Sequence, residues 1–94
     1  MRVAAIQMNS GPDVPANLEL VDRLLADAAA DGCRLVALPE NFALMPERGG
    51  DKASHAEEPG NGPIQTFLSE AAARHRLWIV AGSIPLISPA IALA

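Results

Sequence analysis

Three short apolar runs separated by amphipathic stretches constrain this chain more than any other feature. The runs are Val3 to Met8, Leu35 to Leu38 and Leu77 to Ala81. Between the first two, Leu18, Val21, Leu25 and Ala28 recur at helical spacing, with Leu20 and Leu24 widening the stripe. Between the last two, Ile64, Phe67, Leu68 and Ala71 form a second stripe. The spacing predicts strands near 2–8, 35–39 and 77–82 and helices over 14–31 and 63–75. An order of strand, helix, strand, helix, strand implies an α/β fold. Its parallel strands are joined by right-handed crossovers, and helices cover the sheet.

Local signals support these boundaries. The turn Asn9-Ser10-Gly11-Pro12 closes the first run, and Asp13 can cap the helix that follows, with Pro15 tolerated in its first turn. Gly32 supplies a left-handed helix end. Glu19, Asp22, Arg23 and Asp27 fall on the side away from the stripe, with Glu19 four residues before Arg23. Gly62-Pro63 opens the second helix, which carries a Glu70–Arg74 pair at the same spacing. Residues 41 to 62 read as a long loop rich in Gly, Pro and charge, in which "DKASHAEE" has the composition for one or two helical turns. Loops of this length in compact domains are usually functional or disordered.

Composition narrows the function. Ninety-four residues, half of them apolar, suffice for one small domain with a core. The net charge of −4, with scattered Arg and Lys, argues against a nucleic-acid face or an anionic-membrane face. One cysteine excludes an internal disulfide and suits a reducing compartment. The first apolar run is too short for a signal peptide and none approaches membrane-spanning length, so a cytoplasmic protein is expected.

In parallel sheets with helical crossovers, ligands bind beyond the carboxyl ends of the strands, where Gln7, Glu40 and Ser83 all fall. Glu40 is the leading candidate for chemistry. It follows Pro39, which has no N–H to continue a ladder, so the strand ends by aiming a carboxylate outward. Such a group suits a general base; a solvated carboxylate at a strand end is the alternative. Cys33 lies at the amino end of the second strand, opposite that face, and reads as a packed, inert thiol. His55, His75 and Lys52 read as structural or solvated, and no metal site is expected. The glycines at 49, 50, 60 and 62 make no phosphate-cradling pattern after a strand.

The strings "RVAAIQMNSG", "ANLELVDRLLADAAADGCRLVALPENFAL" and "GPIQTFLSEAAARHRLWIVAGSIPL", in this order and spacing, resemble the amino-terminal part of the nitrilase, or carbon–nitrogen hydrolase, superfamily. The resemblance is greatest to Nit-type amidases and covers roughly residues 2 to 86. It implies that the chain is the β-α-β-α-β part of a nitrilase-like α-β-β-α sandwich. It also implies a Glu-Lys-Cys triad acting on a small-molecule amide without a cofactor. Glu40 matches the general base of that triad; the lysine and cysteine positions fall after the region covered. Cys33 stands where relatives carry a small residue, and Lys52 comes too early.

Three readings follow. Residues 1–94 are expected to be a partial hydrolase domain, truncated at the C-terminus, because the apolar ending "ISPAIALA" departs from the resemblance. Such a chain alone is expected to be inactive, and to self-associate or form a homo-oligomer through uncovered apolar surface. The alternative is a non-catalytic α/β module that binds a partner. A nucleotide-binding half domain is weakened by the missing glycine fingerprint.

Overall fold

The computed structural model describes residues 1–45 and 55–85. Its elements are β1 (Arg2–Ala5), α1 (Val14–Ala30), β2 (Cys33–Ala37), α2 (Pro63–His75) and β3 (Trp78–Val80). The strands form one parallel sheet in the order β1-β2-β3. The α/β alternation and the parallel pairing are therefore as expected. The helices match the sequence reading to within one residue.

β1 and β3 are shorter than their apolar runs, β2 is shifted toward its amino end, and the boundaries have local reasons. The ladder gains one more bond after each pairing, from the Ile6 amide to the Ala37 carbonyl (2.9 Å) and from the Leu38 amide to the Val80 carbonyl (2.8 Å). It then stops at Pro39, which has no donor to offer. Leu77 stays outside β3 because its amide serves the end of α2 through the Ala72 carbonyl, at 3.0 Å. At the other end β2 starts at Cys33, earlier than the apolar run, where it pairs with Arg2.

Helix α1 begins at the expected cap, with the Asp13 carboxylate accepting from the Ala16 amide at 3.1 Å. It ends at Gly32, whose φ of +84° is the left-handed turn that glycine adopts without strain. In α2 the left-handed position is Arg76, at φ +56°.

Alternation along the strands sorts the sheet into two faces. Ala4, Ile6, Val36, Leu38, Leu77 and Ile79 join the core beneath the helices. That core is centred on Val21, Leu25, Val36, Phe42, Leu44 and Ile64, each about 1.5–3 kcal/mol when fully buried. The opposite face carries two registered rows, Val3–Leu35–Trp78 and Ala5–Ala37–Val80. Among the described residues nothing covers it: Val3, Trp78 and Val80 are 62%, 76% and 56% exposed. The expectation that helices cover the sheet is thus met on one face only. Sequential strand order with two crossovers of one hand puts both helices on the same side.

The stretch from residue 41 is irregular as far as residue 45, as the loop reading has it, with Phe42, Ala43 and Leu44 buried in it. One further expectation is revised. Arg74 pairs with Asp22 of α1 at 2.7 Å rather than with Glu70. Asp22 therefore faces α2, not solvent alone. Lys52, the glycines at 49 and 50, the first half of the "DKASHAEE" stretch and the "ISPAIALA" ending lie outside the described residues; His55, in the second half of that stretch, forms a turn.

Candidate active site

Gln7, Glu40 and Ser83 each follow the carboxyl end of a strand, at one end of the sheet. An open depression of about 500 Å³ lies there, lined by Gln7, Met8, Asn9 and Pro39. Glu40 follows Pro39 directly and is exposed. The outward direction inferred for its carboxylate agrees with this. The dry surroundings that a buried base would have are not present, because no described element covers the neighbouring sheet face.

The turn that carries Glu40 is held from several directions. Asn41 adopts a left-handed backbone, at φ +54°, and donates its amide hydrogen to the Ser83 hydroxyl at 3.0 Å. Phe42 turns back into the core and is fully buried. Its carbonyl accepts the Ser10 hydroxyl at 2.8 Å. Asn17, buried within α1, donates to the Ala43 carbonyl at 2.8 Å and to the Gly11 carbonyl at 2.9 Å, and accepts from the Gly11 amide at 3.0 Å. A single asparagine thereby ties the loop after β1 to the loop after β2.

Glu57 is the buried carboxylate of the chain's described residues, and its partners explain it. Its two oxygens accept from the Ile64 amide at 2.6 Å and from the Gln65 amide at 3.1 Å, the first free donors of α2. Gly62 is required beside it, because a Cβ there would collide with the Glu57 side chain. Both oxygens serve the helix end, so Glu57 is a cap. Its amide donates to the Pro85 carbonyl at 2.9 Å, which ties the segment after β3 to the same helix end.

The other sequence candidates lie apart from this site. Cys33 is half-buried at the amino end of β2, across the sheet from Glu40. His55 is exposed. His75 donates through Nε2 to Asp22 at 2.8 Å, next to Arg74, in a link between the two helices. The His75 and Arg74 hydrogen bonds lower the Asp22 pKa from its ordinary 3.8.

Asn17 and Glu57 were not singled out from the sequence. Asn17 had a visible signal, a polar residue four positions before Val21 on the apolar stripe. Glu57 had none, since its helix lies beyond an intervening turn.

The carbon–nitrogen hydrolase family model matches residues 2–91 of this chain. A deaminated glutathione amidase of Yersinia enterocolitica is 36% identical over 86 residues, covering 92% of this chain and 29% of that protein. A deaminated glutathione amidase of Synechocystis is 36% identical over 84 residues, 87% of this chain and 29% of its own length. Nitrilase homolog 2 of Dictyostelium discoideum is 33% identical over 90 residues, 95% and 26% respectively. The chain therefore spans less than a third of the length of these relatives. With its parallel sheet and with the family match running through nearly all of its length, the chain belongs to the carbon–nitrogen hydrolase family.

Proposed function

We propose that residues 1–94 are the amino-terminal part of an amidase-like carbon–nitrogen hydrolase domain, with Glu40 as its general base. The observation that carries this reading is the position of Glu40. It stands at the carboxyl end of the central strand, turned out of the ladder by Pro39, beside the depression lined by Gln7, Met8 and Asn9. In the complete domain a second sheet covers the face formed by Val3, Leu35, Trp78 and Val80, giving an α-β-β-α sandwich and drying the site. The nucleophilic cysteine and the lysine come from chain beyond residue 94.

The chemistry follows from those roles. Glu40 takes the thiol proton, and the thiolate attacks the carbon of a small amide. The lysine stabilises the negative charge that develops on oxygen. The tetrahedral intermediate expels the amine, which leaves with the proton, and a thioester remains. Glu40 then deprotonates water, which cleaves the thioester to a carboxylic acid and restores the thiol. The names of the relatives make deaminated glutathione the first compound to assay.

The test joins residues 1–94 to the remaining sequence of the Yersinia amidase and measures hydrolysis of that amide. The fusion should turn over, residues 1–94 alone should not, and Glu40→Gln in the fusion should abolish turnover with the fold retained. Turnover at the unsubstituted rate in the Glu40→Gln fusion sinks the assignment. A second reading, a non-catalytic module binding a partner, is favoured by the exposed apolar sheet face.

A further inference from the structure

We infer that Ser83 is a positioning residue for the Glu40 carboxylate, acting through the Asn41 amide; this rests on the general-base reading above. Glu40 sits between two anchored neighbours. On one side, Pro39 follows the last ladder bond, from the Leu38 amide to the Val80 carbonyl, and its carbonyl lies against Gly82. On the other side, Asn41 is held in the left-handed region, at φ +54°, with its amide hydrogen on the Ser83 hydroxyl at 3.0 Å. Asparagine takes that conformation more readily than other residues with a side chain, so the turn forms with little strain and the Ser83 bond fixes which way the Asn41 amide points. The Ser83 bond is the one side-chain contact described for the Asn41 amide.

Ser83 is exposed, yet it is a firm anchor. It follows Gly82, whose contact with Pro39 sets how closely the chain after β3 approaches the chain after β2. Two residues later the Pro85 carbonyl accepts the Glu57 amide, and Glu57 in turn caps α2. The strap 82–85 is thus fixed to the Glu40 turn at one end and to a helix terminus at the other. Beyond Asn41, Phe42 is fully buried and closes the turn from the core side. Without the Ser83 hydroxyl, the peptide that follows Glu40 loses the partner that fixes its orientation. The carboxylate then samples directions away from the reacting thiol and water. A displacement of about 1 Å at a reacting group is enough to lower a rate about 100-fold.

The experiment compares Ser83→Ala, Ser83→Thr and Glu40→Gln in the fusion described above, with kcat referred to the concentration of thiol able to form the thioester. That reference removes any change in the folded fraction. Ser83→Ala should lower kcat by about 10- to 100-fold with KM unchanged, and Ser83→Thr, which keeps the hydroxyl, should restore most of the rate. In residues 1–94 alone, hydrogen exchange at the Asn41 amide should speed up in Ser83→Ala and not in Ser83→Thr. If Ser83→Ala retains full kcat while Glu40→Gln is inactive, this inference is overturned and the general-base reading stands. Unchanged exchange at Asn41 in Ser83→Ala also overturns it. Turnover by Glu40→Gln overturns both.

Discussion

Gly82 lies directly against the carbonyl group of Pro39, so close that a Cβ at position 82 would fall on that carbonyl and 2.6 Å from the Glu40 amide nitrogen. The obstacle is backbone, which cannot rotate away as a side chain would. Gly82→Ala should therefore push β2 and β3 apart at the Glu40 end and destabilise the chain by about 1–3 kcal/mol. Denaturant midpoints at constant m-value measure this. A midpoint equal to that of the unsubstituted chain would show that the strands separate there without cost.

Asn17 should be the most sensitive polar position in α1. Asn17→Ala strips partners from the Ala43 carbonyl and from both backbone groups of Gly11. The Gly11 carbonyl keeps the Met45 amide, so the buried Ala43 carbonyl and the part-buried Gly11 amide are the groups left unpaired; at about 1–3 kcal/mol for a buried group, a loss of at least about 1 kcal/mol is expected. Faster exchange at the Met45 amide, which bonds the Gly11 carbonyl at 2.9 Å, should accompany it. Asn17→Asp should not rescue, because a carboxylate offers no donor to the two carbonyls.

The Asp22 link gives stability a pH dependence of defined sign. Its carboxyl is held below 3.8 in the folded chain, first by His75 and then by Arg74, so the folded state binds this proton less readily than the unfolded one. The contribution is complete above the unfolded value. It is lost as pH falls from about 4 through the lowered folded value. Because the Asp22 side chain is 38% exposed, the effect should stay below about 1 kcal/mol. Asp22→Asn should flatten that part of the curve, and an unchanged acid limb would remove Asp22 from the account.

The uncovered sheet face should drive association of residues 1–94. Trp78→Thr together with Val80→Thr removes the two large apolar side chains of β3 on that face while leaving the helix side untouched. The association constant, read by sedimentation, should fall at least about 10-fold, since each such side chain contributes about 1.5 kcal/mol or more when covered. Stability of the monomer should change little. A monodisperse unsubstituted monomer would show that this face needs no cover.

Several features were legible because they are local. Pro39 ends a ladder wherever it stands, so the position of Glu40 at a strand tip needed no knowledge of the neighbouring strands. The Asp13 cap and the α1 stripe are likewise contained within a few turns of chain. The Arg74–Asp22 pair was not legible, because its partners lie 52 positions apart and the nearer Glu70 satisfied the helical spacing equally well. Glu57 escaped notice for a similar reason: its role depends on a turn that brings it back onto the donors of α2.

Periodicity, caps and proline determined from the sequence alone that the described residues form three strands and two helices in alternation, with a carboxylate at the tip of the middle strand. These are properties of neighbouring residues, which local sterics and burial pattern dictate. Only the tertiary structure decided what holds the turn that carries it. Ser83 meets Asn41 across 42 positions, and Asn17 meets Ala43 across 26. Both contacts depend on strand register and helix placement together. The same placement puts both helices on one side and leaves Val3, Trp78 and Val80 bare on the other. An apolar strand reads identically whether one of its faces is covered or both.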